Sequence, residues 1–236
     1  MSPPDGCPLP GRQEELIRCV AATGTPTVVI LVGGSAITMS RWLDEVPAVL
    51  AAWYPGQEGG HAVADVLFGD HNPAGRLPNT FPVAEGQLPL VYNHEPTGRG
   101  DDYADLTGQA LFPFGYGLSY TSFRYADLRI TPASIAAREM ATVRCTVTNT
   151  GLRAGDEVVQ LYLRDELASL TCPRRELMGF VRRGLAPGES GEVSFTITPD
   201  MLALLGRDLQ PVVEPGTVRI MVGASSQDIR VRGILA

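Results

Sequence analysis

Hydrophobic and polar positions follow two different periods along this chain, and the change falls near residue 124. Ahead of it, Leu16, Ile17 and Val20 form an apolar stripe at helical spacing, which predicts a helix over 10–22. Residues 27–32 are a continuous apolar run ended by Gly33-Gly34. That is how a strand covered on both faces reads, typically in a parallel sheet. Residues 46–53 (VPAVLAAW) are a second, weaker run of the same kind, and 57–68 predict a helix with Val63, Val66 and Leu67 on one face. This β-turn-α order places Gly56-Gln57-Glu58 at the C-terminal end of a strand, the edge where open α/β sheets bind ligands.

Beyond residue 124 the period is two. Val143, Cys145 and Val147 share a face, as do Val193, Phe195 and Ile197, and Val218, Ile220 and Val222, with Ile229 and Val231 following. In EVVQLYLRD, Val158, Gln160, Tyr162 and Arg164 oppose Val159, Leu161 and Leu163. The punctuation NTG, APGES, TPD and EPG is turn chemistry, and TPDMLALLG inserts a short helical turn. About seven strands over roughly 110 residues predict a β-sandwich of the immunoglobulin or fibronectin III kind. The fold class expected is therefore an incomplete, open, mainly parallel α/β sheet with helices at 1–90, an aromatic-rich connection at 91–123, and an all-β immunoglobulin-like sandwich at 124–236.

The first part is short of strands. A doubly wound sheet usually has about five or more, and two, at most three, are recoverable here. A strand like 27–32 needs a neighbour on each side and a cover on each face, so the α/β part reads as half present or paired with another chain. On this reading 124–236 fold by themselves and 1–90 are marginal. Residues 83–123 form a long irregular stretch, usually functional in a compact protein. Its aromatics (Tyr92, Tyr103, Phe112, Phe114, Tyr116, Tyr120, Phe123) are expected to anchor it by packing, stacking on sugar rings being the other use for such side chains.

Net charge is −7, which disfavours nucleic-acid or anionic-membrane partners because both need a positive field. All nineteen basic residues are Arg, and the pairs Arg174-Arg175 and Arg182-Arg183 read as a solvated face. No apolar run approaches the roughly 18 residues that cross a bilayer. MSPPDGCPLPG has neither a charged n-region nor an apolar h-region, so no signal peptide is expected and a cytoplasmic place is favoured. Cys7, Cys19, Cys145 and Cys172 lack metal-type spacing, and a Cys145–Cys172 bridge stays open.

Most chemical signatures fail on inspection. Ser35 in VGGSA does not fit GxSxG. GQEGG lacks GxGxxG spacing and a later acid for a ribose, so no cofactor is expected. Glu58, His61 and Asp65 fall at i, i+3 and i+7 on one helix face, but Glu58 is accounted for by the helix dipole and the other two by solvation, so no metal is expected. His71 and His94 lie in loops without a matching cluster. Paired carboxylates for glycoside chemistry cannot be read from spacing; Glu58 is the best-placed single one, and a capping role suits it better.

Longer motifs carry a resemblance. LPGRQEELI at 9–17, TVVILVGGSAITM at 27–39 and AWYPGQEGGHAVADVLFGDHNPAGRLPNTFP at 52–82 resemble the C-terminal α/β sandwich domain of glycoside hydrolase family 3, the β-glucosidase and β-xylosidase family. YNHEPTGR at 92–99 and LFPFGYGLSYTSF at 111–123 match the connection out of it. VTNTGLRAGDEVVQLYLRD at 147–165, PRRELMGF at 173–180, LAPGES at 185–190 and EPGTVRIMVGASSQDI at 214–229 resemble its fibronectin III-like domain. The resemblance implies retaining hydrolysis of terminal β-glucosides or β-xylosides, with a nucleophilic Asp on an N-terminal TIM-type barrel and an acid/base Glu just before the LPGRQ-like stretch. MSPPDGCP holds no Glu and only Asp5, so no catalytic residue is carried over. Trp53, Glu58, Arg99 and Tyr103 are the candidates for contact with a β-linked oligosaccharide or aryl glycoside. The barrel would come from a missing N-terminal part or another chain. The alternative is a stand-alone carbohydrate- or protein-binding module.

Overall fold

The structure is a computed structural model that describes residues 9–96 and 102–236. These form two compact units, the first drawing on 9–71, 79–91 and 102–113, the second on 72–78, 92–96 and 114–236.

The first unit opens with α1 (Gln13–Ala21), whose ends carry acids early (Glu14, Glu15) and Arg18 late, matching the helix dipole. Arg18 also donates to Glu45 Oε1 at 3.1 Å and to the Arg41 carbonyl at 2.6 Å, tying the helix to the 3-10 turn Leu43–Glu45. β1 (Val28–Val32) pairs in parallel with β2 (Ala48–Trp53), and α2 (Gly59–Phe68) follows. Among the described residues, β1 pairs with β2 alone, so the doubly covered strand expected from its composition is not realised here. Val28, Ile30 and Val32 share one face and remain 42%, 37% and 62% exposed. The loops of this unit are held by buried Gln87. Its Oε1 accepts from the Val83 N–H at 2.6 Å, and its Nε2 donates to the carbonyls of Thr107 at 2.7 Å and Gln109 at 3.0 Å. Phe81 and Phe112 form an antiparallel bridge beside it.

The second unit is a sandwich. Its strands are β3 (Phe123–Thr131), β4 (Ala141–Asn149), β5 (Gly155–Asp165), β6 (Glu176–Leu185) and β7 (Ser190–Ile197). The short α3 (Pro199–Leu202) and the two-residue strands β8 (Leu204–Leu205) and β9 (Pro211–Val212) precede β10 (Val218–Gly223) and β11 (Ile229–Leu235). One sheet runs β11-β10-β5-β6 and the facing one β3-β4-β7. The core between them is made of the alternating residues expected: Val143, Cys145 and Val147 from β4, Val193, Phe195 and Ile197 from β7, Val159, Leu161 and Leu163 from β5, Ile220 and Val222 from β10. Cys145 is a buried free thiol and Cys172 a partly exposed one, so the two do not pair.

β5 departs from simple alternation because both of its faces are covered. Gln160 and Tyr162, on the face away from that core, are as buried as Leu161. Tyr92 stacks on Phe114 at 4.2 Å and meets the Tyr162 ring edge-on at 6.1 Å. Gln160 Nε2 donates to the carbonyls of Gly115 at 3.1 Å and Ala224 at 2.6 Å, and the Tyr162 hydroxyl donates to Gln160 Oε1 at 2.5 Å. Of the connecting aromatics, Tyr92, Phe112 and Phe114 serve as packing, as the sequence leads one to expect, whereas Tyr103 and Tyr120 stay exposed. Arg175 is a correction. It was expected on a solvated face, but it is half-buried and donates to the Ser226 carbonyl; burial pulls its pKa down. Arg182, by contrast, is exposed and pairs with Asp156.

Candidate functional site

The C-terminal ends of parallel strands are where an open sheet offers unpaired backbone and loops to a ligand. Here that edge is made by Gly33-Gly34 after β1 and by Trp53 to Glu58 after β2. The register slips at the end of the pair: Leu31 faces Ala51 but Val32 faces Trp53, so Ala52 is an extra residue. Trp53 then takes a left-handed φ of 53°, uncommon for a bulky side chain, while the Gly33 N–H still donates to its carbonyl at 3.1 Å. Gly56, at φ 73°, completes the turn, and Gly59 lets Pro55 approach so closely that a Cβ there would lie 2.7 Å from the proline ring.

The candidates occupy different settings. Trp53 is half-buried and packs edge-on against Phe81, with centroids 6.0 Å apart. Glu58 sits at the N-cap of α2 but makes no side-chain cap; its carboxylate contacts His61 Nδ1 at 2.8 Å, both side chains lying in solvent. The longer Glu side chain reaches the neighbouring turn rather than its own helix N–H groups, so the role expected for it is reduced to the dipole. Asp65 is exposed on the same helix, and among the described residues no three His, Cys, Asp or Glu side chains gather. Tyr103 is exposed, its N–H bonded to the Leu106 carbonyl at 2.8 Å. Arg99 lies outside the described residues. The structure brings Trp53 and Glu58 to one turn.

The residue the sequence reading passed over in that turn is Tyr54. Its ring is 78% exposed and lies against Gly34, where a Cβ would come within 2.7 Å of Tyr54 Cε2 and Oη. The only sequence signal was an aromatic doublet directly before Pro-Gly. Elsewhere, burial holds the Glu157 carboxyl above its ordinary range. Glu157 is 3% exposed and engaged by Arg76 and Tyr125, so it stabilises the sandwich and does not face a substrate. Two hollows on the sandwich, about 310 and 410 Å³, are lined mainly by apolar side chains, with Asp165, Leu202 and Val218 lining both.

Residues 5–120 match the glycosyl hydrolase family 3 C-terminal domain, and 157–226 match the fibronectin type III-like domain. The chain is 45% identical over 224 residues to a beta-xylosidase of Formosa agariphila and 38% identical over 232 residues to a periplasmic beta-glucosidase of Salmonella typhimurium, covering 93% and 94% of this chain. Among solved structures, it superposes on a beta-glucosidase of Listeria innocua in complex with glucose with a TM-score of 0.93 at 34% identity, and on a β-glucosidase of Erythrobacter marinus with a TM-score of 0.92 at 42% identity. Each match covers 98% of this chain, and 33% and 31% of those chains respectively. The chain belongs to glycoside hydrolase family 3, as the counterpart of the C-terminal part of its β-glucosidases and β-xylosidases. It spans about 31% and 30% of the length of the two curated relatives.

Proposed function

We propose that this chain is the C-terminal part of a retaining β-glycosidase that hydrolyses terminal β-glucosyl or β-xylosyl O-glycosidic bonds, and that the chain alone is catalytically silent. The observation that carries the reading is the match itself: nearly all of this chain aligns with under a third of each curated relative. In the resembled family the nucleophilic Asp stands on a barrel and the acid/base Glu precedes the LPGRQ-like stretch. Ahead of Leu9 this chain offers only Asp5. A retaining mechanism needs two carboxyl groups about 5–5.5 Å apart. In this reading they come from a barrel-bearing segment, with which the α/β part at 1–90 associates, while 91–123 connect to the sandwich at 124–236. Support comes from β1, which among the described residues pairs on one edge only and keeps Val28, Ile30 and Val32 exposed on one face, as expected of a sheet extended and covered by other polypeptide.

The test is activity with and without a barrel. The purified chain is assayed on aryl β-glucoside and aryl β-xyloside, alone and fused behind the barrel of a family 3 relative. The fusion is expected to turn over substrate with retained anomeric configuration, and the chain alone to show none. Turnover by the chain alone at enzyme-like rates, or a folded but inactive fusion, overturns the reading.

A further inference from the structure

We propose that the ring of Tyr54 is a platform on which a pyranose of the β-glycoside stacks, at the C-terminal edge of the β1–β2 pair. The identity of the sugar rests on the glycosidase reading above; the platform rests on geometry. Three local features converge on this side chain. The extra residue Ala52 breaks the parallel ladder, which such ladders rarely tolerate. Trp53 adopts φ 53°, a backbone state that costs free energy and persists where the surroundings hold it. Gly34 lacks a Cβ where one would lie 2.7 Å from the Tyr54 ring, so the ring rests on bare backbone.

The outcome of these distortions is unusual. Trp53 is turned inward against Phe81, and the neighbouring tyrosine is turned outward with 78% of its surface in water. Leaving an aromatic ring exposed forgoes the stabilisation its burial brings. A bulge and a left-handed residue that together produce this exposure re-aim a side chain, as bulges beside active sites do. The ring is also confined, since Gly34 supports it and Pro55 follows it in the chain. Little rotamer freedom is then lost when a ligand arrives.

The chemistry fits a β-linked glucose or xylose. Their hydroxyls are equatorial and point to the rim, which leaves axial C–H groups on the two ring faces. A flat, fixed aromatic surface with a hydroxyl at its edge meets such a face and one rim hydroxyl together. The phenol Oη is the polar handle and the ring face the apolar one.

Binding is measured on the 236-residue chain by NMR titration with cellobiose and xylobiose. Wild type is expected to give saturable shifts with the two β-linked disaccharides. Tyr54→Ala weakens them by about 3- to 10-fold, the worth of an aromatic contact, and Tyr54→Phe keeps most of the affinity. Gly34→Ala is the second variant. Its new Cβ meets only the far end of the Tyr54 side chain, so the protein folds with the ring displaced, and binding falls as in Tyr54→Ala. Absence of saturable binding in wild type, or equal binding in wild type and both Ala variants, overturns the platform. If that happens while the barrel fusion hydrolyses aryl glycosides, the platform is wrong and the glycosidase reading stands. If binding depends on Tyr54 and the fusion is inactive, the platform stands as a sugar-binding site and the glycosidase reading fails.

Discussion

Arg76 Nη2 lies 2.8 Å from Glu157 Oε2, and Tyr125 donates its hydroxyl to the other carboxylate oxygen at 2.6 Å. Eighty-one positions separate the two charges along the chain, and both are nearly sealed from solvent, with side chains 10% and 3% exposed. Removing one member of a buried pair leaves the other charge uncompensated, at about 3–5 kcal/mol. Arg76→Met is therefore expected to lower the unfolding free energy by about that amount, and the double variant Arg76→Met/Glu157→Leu to recover much of it. A urea-denaturation double-mutant cycle measures the coupling; additive losses would show that the pair is not coupled.

The same network sets a pH dependence. Desolvation raises the Glu157 carboxyl above 4.5, outweighing the opposing effects of Tyr125, Arg76 and Arg230. A carboxyl raised in the folded state binds its proton more tightly there than in the unfolded chain. Its contribution to stability is thus complete below 4.5 and is lost as pH rises through the raised value. The difference in unfolding free energy between wild type and Glu157→Gln is expected to shift against wild type over that window. Arg76→Met, which removes a charge favouring the carboxylate, extends the window upward. A wild-type curve parallel to that of Glu157→Gln across the window would contradict this.

A fragment starting at residue 124 is expected to fold poorly, contrary to what alternation in the sequence implies. It lacks Arg76 for Glu157, the Gly115 carbonyl for Gln160, and the Tyr92 and Phe114 rings over Tyr162. Each omission uncovers a buried group on β5. A fragment spanning 72–236 restores all of them. Limited proteolysis and thermal melts of the two fragments decide the matter: a 124–236 fragment as stable as 72–236 would refute it.

Gly115 has φ +79°, and a Cβ there would lie 2.2 Å from Gln160 Oε1. Gly115→Ala is expected to cost about 1–3 kcal/mol from the left-handed backbone alone, with the clash at a buried amide adding to it. Gly216, at an ordinary φ with nothing within 4 Å of its added Cβ, is the control, and Gly216→Ala is expected to change stability by no more than about 0.5 kcal/mol.

The described thiols should separate by environment. Cys19 is exposed, whereas Cys145 is 2% exposed and its pKa is pushed up to about 11, chiefly by burial. With Ellman's reagent at neutral pH, Cys19→Ser is expected to abolish a fast-reacting thiol. Cys145→Ser is expected to alter only the count obtained in denaturant. Fast native labelling lost in Cys145→Ser would be incompatible with its place in the core.

The periodicity of the sequence by itself determined much here. Residues 27–32 and 46–53 read as parallel strands, and β4, β7 and β10 show their inward residues by strict alternation, because a core imposes its pattern locally on each strand that lines it. The long motifs likewise sufficed to point to the family. Tertiary structure decided the rest. That Gln160 and Tyr162 are buried depends on Tyr92, Phe114 and Gly115, which meet them only after the chain has folded back. Nothing in the sequence links Arg76 to Glu157, since 81 positions separate them until folding places them together. Tyr54 is one residue from a candidate named on sequence grounds, yet its exposure follows from a bulge and a left-handed φ that leave no periodic trace. Hydrophobic pattern is a property of neighbours along the chain, whereas polar pairing and the aim of a side chain depend on which distant backbone arrives opposite, and that is settled only when the whole unit packs.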